Sequence, residues 1–60
     1  TSYTEMIHKT GISRTILRPA GKIEIDGDLY DAVALTSYID KGVKVIVVDY
    51  HNAQLVVKKA

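Results

Sequence analysis

The dipeptide Asp26-Gly27, set between two alternating segments, is the feature that most narrows what this chain can become. Asp-Gly between alternating apolar residues is a strong hairpin signal, because a two-residue type I′ turn needs positive φ at both central positions. With that loop, Ile25 faces Asp28, Ile23 faces Tyr30 and Lys22 faces Asp31. Ile23, Ile25, Tyr30 and Ala32 then share one face. Lys22 and Asp31 share the other as an opposite-charge pair, worth roughly 0.2 to 1 kcal/mol. A second turn precedes the hairpin. Arg18-Pro19-Ala20-Gly21 reads as type I, with proline supplying φ near −65° at the second position and glycine at the fourth.

The flanking segments extend the hairpin into a small sheet. From Gly11 to Leu17, residues Ser13, Thr15 and Leu17 fall on one face and Ile12, Arg14 and Ile16 on the other, and neither face is wholly polar. That pattern suits a long, curved first strand of a closed barrel. Gly21 starts the second strand, removing a side chain where the sheet bends. The third runs from Asp28 to about Leu35. Residues 36–42 then break the alternation over a length too short for a stable helix. Tyr38 and Ile39 are expected to plug the barrel end there, with Gly42 in a strained conformation. In the fourth strand, residues 43–50, Val43, Val45 and Val47 point one way while Ile46, Val48 and Tyr50 point the other. His51-Asn52-Ala53 makes a short turn, and residues 54–58 close as a fifth strand.

Residues 1–9 read as a leading segment, partly disordered, with Met6 and Ile7 available to pack on the barrel; residues 10–58 form the domain. Five strands with a break after the third match an all-β, five-stranded Greek-key β-barrel of the OB-fold type. An SH3-like barrel is the alternative, although it would carry a one-turn 3₁₀ helix before its last strand instead.

Composition bounds the rest. A chain of 60 residues is one domain, and at that size only about 60% of the unfolded surface is buried. With no cysteine there is neither a disulfide framework nor a thiolate zinc site. The apolar 47% is dominated by isoleucine, valine and tyrosine, which favours strands. Eight Lys and Arg against seven acids give a net charge of +1, not the basic footprint of a nucleic-acid-binding domain. No apolar run approaches the roughly 20 residues of a membrane helix, so the chain reads as a soluble piece. It opens at Thr1 without an initiator methionine. The expectation is a segment of a longer protein, with any membrane or catalytic part outside it.

No residue pattern announces chemistry. His8 and His51 stand far apart, and a metal site needs three or four converging ligands. Ser37, His51 and Asp49 supply the residue types of a hydrolytic triad, but nothing orients them and no nucleophile elbow is present. Asp26, Asp28 and Asp31 lack the ligand spacing of a calcium loop and read as turn and strand residues. No cofactor, metal or catalytic residue is expected. Arg18 either holds its turn through neighbouring carbonyls or contacts a partner. Ile46, Val48 and Tyr50 cannot all enter the interior that Val45 and Val47 occupy. They meet either a partner or a cover of Met6, Ile7 and Leu55 or Val56, and with Arg18 they are the candidate partner-binding residues.

The string Gly11-x-Ser13-x-Thr15-x-Leu17-Arg18-Pro19-Ala20-Gly21 resembles the G-x-A-x-T-x-L-R-P-x-G opening of the C-terminal domain of the NfeD (nodulation formation efficiency) family. The likeness continues through Ile23-x-Ile25-x-Gly27, Tyr30-Asp31-Ala32-Val33 and Tyr38-Ile39-x-x-Gly42-x-x-Val45-x-Val47. Two departures stand out: Leu35-Thr36-Ser37 lacks the glycine usual after the third strand, and Ser13 replaces the common alanine. The resemblance implies a non-catalytic OB-fold module on the soluble end of a cell-membrane protein, with the cytoplasmic side favoured over the other. Its partner would be a stomatin-type membrane protein, and its work membrane organisation or protein quality control. Oligomerisation is compatible with this, and membrane contact would come through segments outside the chain. The alternative is a generic OB-fold module that binds single-stranded nucleic acid or oligosaccharide across strands two and three. The outward residues there, Lys22, Glu24, Leu29 and Asp31, offer one cation, two acids and no stacking aromatic.

Overall fold

The computed structural model describes residues 3–60; Thr1 and Ser2 of the leading segment lie outside them. A 3₁₀ turn, η1 (Tyr3–Met6), leads into five strands: β1 (Thr10–Ser13), β2 (Ala20–Ile25), β3 (Asp28–Ala34), β4 (Lys44–His51) and β5 (Gln54–Lys59). They close into a barrel in the order β1-β2-β3-β5-β4, with β4 returning to β1. Every pairing is antiparallel except β3 with β5, which is parallel. This is the OB-fold, and the SH3-like alternative is set aside.

The central hairpin forms in the expected register, with Ile25 opposite Asp28, Ile23 opposite Tyr30 and Lys22 opposite Asp31. Asp26 and Gly27 have φ of 52° and 85°, the double positive φ of a type I′ turn. Ile23, Ile25 and Ala32 are buried, Tyr30 packs at the edge of the core, and Lys22 pairs with Asp31 outside. The interior is completed by Leu17, Ala34, Ile39, Val45, Val47, Leu55 and Val57. Met6 and Ile7 pack against it, as anticipated. Backbone bonds from His8 N to Val47 O and from Val47 N to Lys9 O fasten the residues ahead of β1 to β4.

Four local expectations are corrected. The first strand does not run on to Leu17: β1 ends at Ser13, and Leu17 is held by a separate bridge to Ile39. Ser13 stops the strand because its buried hydroxyl donates to Asp40 O at 2.6 Å and accepts from Val43 N at 2.9 Å, tying β1 to the loop before β4. Thr15, expected to face inward with Ser13, is exposed instead, and its Oγ1 accepts from Lys22 N. Ala20 already belongs to β2, so Arg18-Pro19-Ala20-Gly21 does not make a type I turn; the Arg18–Pro19 peptide is cis. Tyr38 does not plug the barrel. Ile39 is fully buried while Tyr38 stays 48% exposed, because neighbouring residues of an extended segment point to opposite sides.

Positive φ also falls on residues that carry a β-carbon. Ser37, where glycine would be usual, has φ 77°. The β4–β5 turn is a second type I′ turn, Asn52 at φ 52° and Ala53 at φ 62°, and His51 belongs to β4. Left-handed backbone costs a residue with a β-carbon roughly 1 to 2 kcal/mol, partly offset by glycine's greater freedom when unfolded. Ala53→Gly is therefore expected to raise stability by about 1 kcal/mol in chemical denaturation. Val45, fully buried, gives the opposite test. Val45→Ala should lower stability by about 1 to 3 kcal/mol in the same measurement.

Candidate functional site

The surface of interest is the outer face of β4, β5 and β3, together with the barrel end where these strands meet the long loops. Strict alternation would place Ile46, Val48 and Tyr50 together, but β4 carries a bulge between Val47 and Asp49. Val47 faces Val57 and the next paired residue, Asp49, faces Val56, so Val48 is the extra residue and the phase of the strand changes after it. Ile46 and Val48 remain on the outer face. Tyr50 is carried to the other side, opposite the buried Leu55, and packs against the core. The anticipated trio is split. Ile46 and Val48 are half-buried; Met6, Ile7 and Leu55 belong to the core side and Val56 lies beside them on the same outer face.

That face continues across the sheet. Val56 is paired with Val33 of β3, and Ile46 with Lys58 of β5. Leu35 N donates to Val57 O at 2.8 Å, which carries the β3–β5 pairing one residue further and sets Leu35, 59% exposed, beside Lys58. Beyond Leu35 comes the barrel end. Leu17 and Ile39 exchange two backbone hydrogen bonds, at 2.9 and 3.0 Å, and lock loop 14–19 against loop 35–43. Antiparallel geometry then sets Arg18 beside Tyr38. Arg18 is exposed and makes no hydrogen bond or ion pair among the described residues, so it does not staple its own turn. Tyr38 Oη donates to Asp40 Oδ1 at 2.7 Å. That bond holds the phenol pKa above its ordinary value of 10.0, helped by partial desolvation and the Asp40 charge and opposed by Arg18.

The residues that carry the resemblance are mostly architectural. A β-carbon on Gly11 would collide with the Glu24 carbonyl, and one on Gly21 with Leu17 Cδ2 and with Thr15 Oγ1. Ser13, Thr15 and Leu17 supply the barrel with a buried hydroxyl, a hydroxyl that accepts from the Lys22 N–H and a core side chain. Arg18 of that string is exposed and available for an outside contact.

Other candidates do not assemble. Ser37 sits in loop 35–43, whereas Asp49 and His51 lie toward the opposite end of β4, and Asp49 Oδ1 accepts from Tyr50 N. Asp26 pairs with Lys9 at 3.3 Å and Asp31 with Lys22, which separates the acidic residues of the hairpin. Among the described residues no group of three His, Asp or Glu converges to hold a metal. His8, Lys9, Thr10, Ile25 and Asp26 line a shallow open depression of about 320 Å³. On the β2–β3 face, where OB-folds bind oligonucleotides, Lys22 is paired with Asp31 and Glu24 with Arg14. The β4–β5 turn is only Asn52-Ala53 between its strands, too short to wall that face.

These features define a small closed barrel that presents a mixed apolar and cationic surface, the build of an interaction domain. Residues 3–59 match the NfeD-like C-terminal, partner-binding domain, and the chain belongs to that family. A relative is Membrane protein NfeD1b of Bacillus subtilis (strain 168), 36% identical over 56 residues; the match covers 93% of this chain but 13% of the relative, so the chain spans a small part of that protein's length. The C-terminal domain of stomatin operon partner protein 1510-C from Pyrococcus horikoshii has the same fold at a TM-score of 0.92 and 36% identity, covering 100% of this chain and 95% of that one. The soluble domain of a Corynebacterium glutamicum membrane protein implicated in regulation of membrane protease activity shares the fold at a TM-score of 0.85 and 21% identity, covering 98% of this chain and 100% of that one. Among the described residues no helix is long and apolar enough to cross a membrane.

The Tyr38–Asp40 bond makes a pH prediction with a definite sign. A phenol whose pKa is raised on folding contributes stability below its ordinary pKa, and loses that contribution as pH rises through the raised value. Followed by NMR of the ring carbons, Tyr38 should titrate above 10.0 in the native chain and return toward it in Asp40→Asn.

Proposed function

We propose that this chain is a non-catalytic docking module of an NfeD-type membrane protein, and that it works by binding a stomatin-type membrane protein in membrane organisation or protein quality control. The observation that carries this reading is the outer face itself. Ile46, Val48, Val56, Val33 and Leu35 form an apolar strip that runs across β4, β5 and β3. Apolar strips with charged rims are where proteins meet partners. The stomatin connection is supported by association, through a structural relative described as a stomatin operon partner protein. Ile46 and Val48 supply the apolar contact and Arg18 a charged one, while Tyr50 supports them from the core side.

The test is an NMR titration of the labelled chain with the soluble domain of a stomatin-type protein from the same genome. Shifts should concentrate at Ile46, Val48 and Arg18, and Ile46→Lys should weaken binding about tenfold or more, a loss of at least ~1.4 kcal/mol. A titration with no shifts anywhere on the chain would refute the stomatin reading.

A further inference from the structure

The charges of the described residues are sorted by their place in the barrel. Lys9, Arg14 and Lys22 are each paired, with Asp26, Glu24 and Asp31. Arg18, Lys41, Lys44, Lys58 and Lys59 form no ion pair among the described residues. All five belong to one end of the barrel. Arg18 and Lys41 lie in the two loops that the Leu17–Ile39 bridge locks together, Lys44 begins β4, and Lys58 and Lys59 finish β5. Ala60 N donates to Lys44 O at 3.0 Å, which brings the end of β5 beside the start of β4. The loops of this end hold a single carboxylate, Asp40, already engaged by the Tyr38 hydroxyl. Exposed apolar groups gather in the same place: Ile16 at 38%, Leu35 at 59% and Tyr38 at 48%. The opposite end carries Asp26, Asp28 and Asp49.

We propose that this basic, apolar end is where the partner docks, and that the partner presents a protein segment carrying carboxylates beside leucine-like side chains. The proposal rests on the docking reading above and adds the chemistry of what is docked. Charge complementarity commits the surface to an anionic occupant, since five exposed cations that form no ion pair among the described residues surround one occupied acid. The exposed Ile16, Leu35 and Tyr38 require that occupant to be apolar as well. Arg and Tyr, with Trp, are enriched among the residues that anchor protein interfaces. Here they sit side by side on loops fixed by two backbone hydrogen bonds.

A protein segment is favoured over an anionic bilayer for two reasons. His8, Lys9 and Thr10 enter β1 at the other end, beside Ile25 and Asp26, so the basic end lies opposite the point where the described chain enters the barrel. Its apolar groups also lie on bridged, hydrogen-bonded turns, so an occupant must match a fixed shape. The strip of Ile46 and Val48 runs into this end through Lys58 and Leu35, so the segment would lie across both.

The experiment is an NMR titration of the labelled chain with three probes: a synthetic amphipathic peptide bearing glutamates on one face and leucines on the other, the same peptide with lysines in place of the glutamates, and vesicles of equal phosphatidylglycerol and phosphatidylcholine. The acidic peptide should shift Arg18, Leu35, Tyr38 and Lys58, and bind more weakly as salt is raised. Arg18→Gln combined with Lys58→Gln, both at exposed positions, should weaken it about tenfold or more. Lys22→Gln, on the hairpin face, should leave it unchanged. Equal binding of the two peptides, shifts confined to the β2–β3 face or to the Asp26 end, or binding of vesicles without binding of the acidic peptide would each overturn the proposal. The stomatin-type titration separates the two readings. If that protein binds with shifts away from Arg18, Tyr38 and Lys58, docking stands and the acidic-segment proposal falls; if the acidic peptide binds here and the stomatin-type protein does not, the partner's chemistry stands and its identity falls.

Discussion

The barrel has no edge because the four residues of β1 bond on both sides, to β2 through Ile12 and Ser13 and to β4 through Thr10, Gly11 and Ile12. Closure at this point demands tight backbone approach, and Gly11 provides it by lacking a side chain where the Glu24 carbonyl passes. Ser13 then ends the double pairing, its buried hydroxyl donating to the Asp40 carbonyl and accepting from the Val43 N–H of the next loop. Much of the molecule follows from that arrangement. The chain must leave β1, cross under Ile39 and re-enter at Ala20, and loops 14–19 and 35–43 are brought together as a result. A surface at this end is a by-product of how the barrel shuts.

The parts that could be read in the sequence are those where one local rule decides. Asp26-Gly27 fixed a register because the turn allows only one, and Ile23, Ile25, Ala32 and the Lys22–Asp31 pair fell where that register put them. The five strands and the buried Val45, Val47, Leu55 and Val57 follow from alternation. What escaped was set by tertiary contact. In Val43 to Tyr50 the alternation is unbroken on paper, and nothing in VKVIVVDY marks Val48 as the residue that loses its partner. Ser13 looked like a small replacement for alanine, yet its hydroxyl is a fastening point of the barrel.

The candidate surface was only half legible for a related reason. Ile46, Val48 and Arg18 could be nominated from one strand and one turn. Lys41, Lys44, Lys58 and Lys59 are scattered along the chain, and only the parallel β3–β5 pairing and the β4–β5 register collect them. A net charge of +1 concealed the separation, because it sums two ends of opposite character. One sign was available beforehand: Lys22 has an evident cross-strand acid, and the lysines of the last two strands have none within alternating reach.

The place of β5 has a consequence for how the molecule comes into being. β5 is inserted between β3 and β4, so the ring of strands cannot be completed until the final segment is present. Leu55 and Val57, both fully buried, belong to that segment. A chain growing from its N-terminus on the ribosome therefore cannot close the barrel while it holds only β1 to β4. The parallel side of β3 and the free side of β4 stay open to water and to other chains until synthesis has passed Val57. Long-range pairings of this kind form late and leave apolar surface exposed in the meantime. For this small barrel, the interval between emergence of β4 and capture of β5 is when aggregation or premature docking would occur.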